Sequence, residues 1–182
     1  MSFIILDRDG VINYESPDYI KSPDEWRPIP GSLEAIAELN RHGFRVLVAT
    51  NQSGVGRGYY DLSTLNLIHQ KLTAELARVG AHIEEIFFCP HHPEENCNCR
   101  KPKAGLLLQM QKKYHFDFAT TFFIGDSYRD VQAAQTAGCL PLLVLTGNGQ
   151  ITVNKYADVL VHVPRFSDLA EAVGYVINEF TH

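Results

Sequence analysis

Phe3-Ile4-Ile5-Leu6-Asp7-Arg8-Asp9-Gly10 is a run of four apolar residues that stops abruptly in two carboxylates and a glycine. A short run with no polar alternation is the pattern of a parallel strand buried on both faces, and such sheets bind ligands beyond the carboxyl ends of their strands. Residues two apart on an extended backbone share a side, so Asp7 and Asp9 are expected to face one site.

Working outward, the next stretch, with Pro17, Pro23, Pro28 and Pro30, reads as irregular. Ser32 is then expected to cap a helix carrying Leu33, Ile36, Ala37 and Leu39 at helical spacing and closed by Gly43. Residues 45–49 read as a strand, 50–58 as a glycine-rich loop, and Ser63 as the opening of an amphipathic helix through Leu65, Ile68, Leu72 and Leu76 to Gly80. Strands are expected over 83–88, 121–124, 140–145 and 159–163, and helices over 105–114 and 128–137. A last helix through Leu169, Val173 and Ile177 is capped by Ser167. Strands alternating with helices predict an α/β fold: a Rossmann-like three-layer sandwich around a parallel sheet. At 182 residues the chain is expected to be one domain, 1–182.

With 16 Lys+Arg against 21 Asp+Glu the net charge is -5, so no global field attracts a nucleic acid or an anionic membrane. The first apolar run is too short for a secretory leader, and no stretch nears the ~20 apolar residues of a membrane span. A cytoplasmic, reducing compartment is the expectation, with neither nucleic acid nor membrane as partner.

A second acidic element, Gly125-Asp126-Ser127-Tyr128-Arg129-Asp130, also follows a predicted strand and opens a helix. Carboxylates from two strand ends repel one another unless a cation sits among them, and oxygen ligands of this kind suit Mg²⁺. Thr50 ends another predicted strand, and Lys101 follows Arg100; these are phosphate donors. A phosphate meeting ionised Asp7 is opposed by about 4 kcal/mol per charge pair at 4 Å and an effective dielectric of ~20. Mg²⁺ and Lys101 together offset that repulsion, so the set points to phosphoryl chemistry.

Cys89-Pro90-His91-His92-Pro93-Glu94-Glu95-Asn96-Cys97-Asn98-Cys99 gathers three thiols and two imidazoles in one polar loop. Three Cys and one His make a closed tetrahedral set for structural Zn²⁺, with no open position at which water is activated. Gly54-Val55-Gly56-Arg57-Gly58 lacks the G-x-G-x-x-G spacing of a dinucleotide site. Arg57 is either a reach toward substrate phosphate or a solvated loop residue. Trp26 is expected to pack the first loop, and Cys139 to be a small buried hydrophobe.

Asp7-x-Asp9, Thr50, Lys101 and Gly125-Asp126-x-x-x-Asp130, each at a strand end and in this order, resemble the four motifs of the haloacid-dehalogenase-like phosphohydrolases. The resemblance implies that Asp7 attacks phosphorus to form an aspartyl-phosphate, while Asp9 protonates the leaving oxygen and then activates water. It further implies Asp7, Asp126 and the Asp9 carbonyl as Mg²⁺ ligands, Thr50 and Lys101 on the phosphoryl oxygens, and Asp130 as support for the metal. Many relatives close over substrate with a cap domain; the intervals 10–49 and 51–100 are filled by core elements and leave no room for one. Closure is expected from loops 11–30 and 51–60 and from the Cys/His segment.

Cys-Pro-His and Cys-x-Cys-Arg-Lys-Pro are similar to the zinc-bearing, capless branch of that family, which holds heptose bisphosphate phosphatases and histidinol-phosphate phosphatases. Asp7 to Asn13, Thr50 to Tyr59 and Cys97 to Pro102 are most similar to the former. That likeness selects Cys89, His91, Cys97 and Cys99 as the zinc set, and Asn51, Gln52, Ser53 and Arg100 as substrate contacts. It implies a phosphatase of a sugar bisphosphate that serves surface-glycan precursor synthesis; a monomer is expected. A polynucleotide 3′-phosphatase shares the motifs but conflicts with the acidic balance, and a phosphoacceptor receiver domain carries its acceptor after a middle strand.

Overall fold

The computed structural model describes residues 2–181. Six strands, β1 (Ser2–Leu6), β2 (Phe44–Asn51), β3 (Glu85–Cys89), β4 (Phe122–Gly125), β5 (Leu140–Val144) and β6 (Arg165–Phe166), form one sheet in the order β3-β2-β1-β4-β5-β6. Every pairing is parallel. The helices are α1 (Ser32–Arg41), α2 (Ser53–Gly56), α3 (Leu62–Arg78), α4 (Gly105–Tyr114), α5 (Tyr128–Ala137), α6 (Gly149–Lys155) and α7 (Leu169–Thr181).

Alternation along the strands builds two cores. Ile4, Leu6, Val46, Val48, Phe122 and Ile124 face Leu33, Ile36 and Leu39 of α1, Ile68, Leu72 and Leu76 of α3, and Leu169, Val173 and Val176 of α7. Phe3, Ile5, Leu47, Ala49 and Phe123 face Leu106, Leu107 and Met110 of α4 and Ala133 and Ala134 of α5. Each such side chain contributes about 1.5–3 kcal/mol on burial, so the inner strands are fixed from both sides. Chain progression reverses between β1 and β4, and the loops leaving these neighbours diverge, opening a crevice at their carboxyl ends.

Several boundaries depart from expectation. Ser32 is the first residue of α1 and does not cap it; Gly31 occupies the cap in the left-handed region, while Ser32 Oγ donates to the Ile12 carbonyl at 2.6 Å. Asp61, not Ser63, caps α3 by accepting from Thr64 N, and Asp168 rather than Ser167 accepts from Glu171 N at the start of α7. The expected loop 50–58 is in part strand and in part α2, because β2 continues through Thr50 and Asn51 against β3. Residues 159–163 are not a strand: Leu160 N and Val163 N close turns onto Tyr156 and Leu160 carbonyls, and pairing with β5 falls to Arg165 and Phe166. Leu160 and Val163 are buried against Leu143 and Val131 while Val159 and Val161 are exposed, so the apolar run marks a packed turn. Trp26 and Cys139 are buried as anticipated.

Candidate active site

Asp7 leaves β1 at the crevice, its N–H donating to the Ile124 carbonyl of β4 at 2.9 Å. Lys101 is 2% exposed; its Nζ donates to the Ala49 carbonyl at 2.8 Å and forms ion pairs with Asp7 Oδ1 at 2.9 Å and Asp130 Oδ1 at 2.7 Å. Asp130, in the first turn of α5, accepts on Oδ2 from Ser127 N, Ser127 Oγ and Asp126 N. Ser127 thus caps α5, and Asp126 is left free of the capping duty that its place before a helix suggests. Asp126 instead accepts from Asn148 N at 2.8 Å. Gly10, at φ 81°, lies against it: a β-carbon there would run into the Asp126 carboxylate, so the backbone reversal and the close approach both require glycine.

Asp7, Asp126 and Asp130 bring carboxylate oxygens within 4.8 Å of one another. Burial, then repulsion from Asp130, pushes the Asp7 carboxyl up to about 8, with Lys101 pulling the other way. Burial and the Asp7 and Asp130 charges likewise hold Asp126 well above the carboxylate range. Burial opposes the charge on Lys101, but Asp130 and Asp7 outweigh it and hold the ammonium above its ordinary value. Burial would raise Asp130, yet Lys101 and Ser127 keep it below. One ammonium among three buried carboxylates leaves net negative charge, which a hard divalent cation with oxygen ligands neutralises; the donor set fits Mg²⁺.

Asp9 stands apart from this cluster. Its Oδ1 accepts from Arg8 Nε and Asn13 Nδ2, both at 2.9 Å, and its Oδ2 accepts from Gln52 Nε2 at 3.0 Å. Burial works against its charge, but Arg8, Asn13 and Gln52 hold the carboxyl below its ordinary value. Asp7, Asp9, Thr50, Asn51, Lys101, Asp126 and Asp130 line one cleft. Gln52, Ser53 and Arg100 join Asp9 and Asn51 in an adjoining one, with Glu15, Tyr19 and Ile20 from the first loop and Arg129 from α5. Loops 11–30 and 51–60 therefore border the site, and beyond the Cys/His segment it is the following Arg100 and Lys101 that reach it.

Asn51 and Gln52 line these clefts with their amides engaged by the protein. Asn51 Nδ2 donates to the Lys101 carbonyl and Asn51 Oδ1 accepts from Lys101 N, each at 3.0 Å. Gln52 Nε2 also donates to Thr50 Oγ1 at 2.9 Å, and Tyr60 OH donates to Gln52 Oε1 at 2.6 Å. Arg100 Nη1 is buried without a hydrogen-bond partner among the described residues, and its charge is disfavoured by burial and then by the neighbouring Arg129 and Arg57. Arg57 is exposed and lies over the Tyr19 ring.

Cys89 Sγ lies 3.5 Å from Cys97 Sγ and from His91 Nδ1, and 3.1 Å from Cys99 Sγ; His91 Nδ1 is 3.2 Å from Cys99 Sγ. Four donors at such spacings approach the edges of a tetrahedron, which bonds of ~2.3 Å would set at about 3.8 Å. His92 takes no part: its Nδ1 accepts from Glu94 N and caps the short turn Pro93–Glu95. Arg8, Asn13, Glu15, Tyr60 and Asn148 belong to the site although the sequence analysis gave none of them a role. The available signals were slight: an asparagine one turn beyond Asp9, and an acid within a predicted closing loop.

The HAD-hydrolase-like family model matches residues 98–172. D-glycero-beta-D-manno-heptose-1,7-bisphosphate 7-phosphatase from Pseudomonas aeruginosa is 51% identical over 154 residues, covering 85% of this chain and 86% of the relative. The protein of the same name from Neisseria meningitidis serogroup B is 43% identical over 182 residues, 100% of this chain and 97% of its own. A crystal structure of D,D-heptose 1,7-bisphosphate phosphatase from Bordetella bronchiseptica, complexed with magnesium and phosphate, superposes with a TM-score of 0.95 at 46% identity. The match covers 98% of this chain and 99% of that one. The chain belongs to the HAD-like hydrolases, in the group formed by these heptose bisphosphate phosphatases.

Proposed function

We propose that the chain removes the 7-phosphate of D-glycero-β-D-manno-heptose 1,7-bisphosphate through an aspartyl-phosphate on Asp7. The names of its relatives support the substrate and the anomer. The observation that carries the chemistry is the division of labour at the end of β1: Asp7 sits with Lys101 in a carboxylate cluster, and Asp9 is gripped separately two residues on.

Asp7, Asp126 and the Asp9 carbonyl hold Mg²⁺, which when bound supplies Lewis-acid neutralisation of phosphoryl charge. The Asp7 carboxylate attacks phosphorus in line with the sugar oxygen. Asp9, ionised in the free site, takes up a proton as the phosphate dianion enters beside it and gives that proton to the sugar oxygen as the P–O bond breaks. It then takes a proton from the water that attacks the phosphoryl group and releases Asp7 as its bond to phosphorus breaks. Thr50 and Lys101 bind the phosphoryl oxygens, and Asp130 holds Lys101 upright. Arg100, with an unpartnered buried N–H, and Asn51, Gln52 and Ser53 border the sugar and its other phosphate. Cys89, His91, Cys97 and Cys99 hold a structural Zn²⁺ that fixes the segment leading into Arg100 and Lys101.

In this reading the chain works as one domain, 1–182, and as a monomer. It acts in the cytoplasm, where reducing conditions suit the thiol cluster, and supplies heptose for lipopolysaccharide or other surface glycans. The net charge of -5 argues against nucleic acid as substrate. Phosphate release from the α and β heptose bisphosphates, histidinol phosphate and a 3′-phosphorylated oligonucleotide tests it. Highest kcat/KM is expected on the β heptose ester, with no turnover by Asp7→Asn and severe loss in Asp9→Asn. Preference for histidinol phosphate would overturn the substrate, and normal turnover by Asp7→Asn the mechanism.

A further inference from the structure

Arg8 lies between the two acids and is fully buried. A guanidinium meeting a carboxylate normally pairs fork to fork, one N–H to each oxygen. Here Arg8 Nε donates to Asp9 Oδ1 at 2.9 Å, and Oδ2 accepts no hydrogen bond from the arginine. Arg8 Nη2 makes only an ion-pair contact with Oδ1, at 2.8 Å, and has no hydrogen-bond partner among the described residues. The remaining arm explains the departure: Arg8 Nη1 lies 3.0 Å from His69 Nε2. Arginine is a donor only, so His69 accepts on Nε2 and carries its proton on Nδ1. His69 is in α3, on the side that carries Leu65, Ile68 and Leu72 to the core; its ring packs near Phe88, and it lines neither cleft.

We propose that His69 is a positioning residue for Asp9, acting through Arg8. By anchoring Nη1 it sets the rotation of the guanidinium, so that Arg8 holds Oδ1 alone and Oδ2, which accepts only from Gln52 Nε2 among the described residues, keeps a lone pair for proton transfer at the leaving oxygen. Without that anchor the guanidinium is free to turn into the forked pairing and engage Oδ2. The inference rests on the assignment of Asp9 as acid and base made above.

The test compares His69→Leu with His69→Gln, whose amide oxygen reaches the place of Nε2. On heptose bisphosphate, His69→Leu is expected to lower kcat on the order of 10- to 100-fold with KM unchanged, as for other misplaced catalytic groups. His69→Gln is expected to restore most of that loss. With p-nitrophenyl phosphate, whose phenolate leaves unprotonated, the first-turnover burst is expected to keep its wild-type rate in His69→Leu. In an Arg8→Met background, His69→Leu is expected to cost nothing more. An unchanged kcat in folded His69→Leu, a loss confined to KM, failure of Gln to restore, a slowed burst, or independent multiplication with Arg8→Met would each overturn the proposal. Should His69→Leu not fold, His69→Asn, too short to reach Arg8, carries the same expectation. If Asp9→Asn turned over normally the mechanism itself would fall, whereas wild-type kinetics in the His69 variants beside an impaired Asp9→Asn would remove this inference alone.

Discussion

Lys101 holds Asp7 and Asp130 apart electrically while drawing both into one buried cluster, so its removal is felt twice. Lys101→Met leaves two buried carboxylates without their counter-charge, a change that costs about 3–5 kcal/mol. It also removes a donor to the transferring phosphoryl group, expected to lower kcat about 10²–10³-fold. Melting curves and turnover together check this; an unshifted melting temperature would show that the pair is not formed in solution. His69 offers a pH test of the same neighbourhood. Burial, then the Arg8 charge, lowers its pKa from 6.5 to about 3. The unfolded chain takes up this proton below 6.5 and the folded one does not, so the stability is fully present above 6.5 and is lost as pH falls toward 3. At pH 5 the loss is about 2 kcal/mol. Relative to His69→Gln, the wild type is expected to lose stability by that amount between pH 7 and pH 5, and parallel profiles would contradict it. The places of Asp7, Asp9, Thr50 and Asp126 were readable in the sequence because each stands at or just past a strand end; Lys101, expected at one, instead lies well beyond the end of β3, in the segment that leads into α4. The roles of Arg8, Asn51 and Gln52 were not readable, since what their donors meet is decided by residues as distant as Lys101 and His69.

At the level of elements, the zinc loop and the loop after β2 are built as one unit. Gln52 N donates to the Cys89 carbonyl at 2.8 Å, and a β-carbon at Gly56 would strike the backbone of His91 and His92. Loss of zinc through Cys97→Ser is therefore expected to spread beyond the ligands. Hydrogen exchange should accelerate over residues 90–104 and at the Gln52 amide while β1 and β4 stay protected, and KM should rise. Faster exchange confined to 90–104 would show the two loops to be independent. The periodic helices over 105–114 and 128–137 were legible to the residue, because an apolar stripe and a left-handed terminator bound them. α6 was not: it has seven residues, only Gly149 and Thr152 of them buried, and no apolar period to read. The run 159–163 misled for the opposite reason, as turn hydrogen bonds had claimed its backbone before the sheet could.

Across the whole molecule, a parallel sheet could be inferred from alternation, but the order of its strands depends on how far each crossover reaches, which local sequence does not encode. That order places β1 beside β4 and so brings Asp7 against Asp126 and Asp130, concentrating negative charge where two loops part. The concentration has a cost that varies with pH. Asp7 and Asp126 have pKa values raised by burial and by neighbouring carboxylates, Asp7 to about 8. The folded protein then holds protons that the unfolded chain has already released, so this contribution is complete below about 4 and is lost as pH rises toward 8. Between pH 6.5 and 8 His69 is neutral in the folded protein and sheds its last fraction of a proton in the unfolded chain, which opposes this decline only slightly. Asp9 and Asp130, whose values are lowered, are ionised in both states. Zinc-loaded, magnesium-free protein is therefore expected to melt at lower temperature at pH 8 than at pH 6.5. Saturating Mg²⁺ replaces the protons as the neutralising charge, so the stabilisation it confers should be larger at pH 8 and should abolish most of the decline. Asp126→Asn, with one acid fewer, should show a flatter magnesium-free profile and a smaller response to the cation. Melting temperatures over this range, with and without Mg²⁺, decide it: equal stabilisation at both pH values would mean that the cation binds away from Asp7 and Asp126.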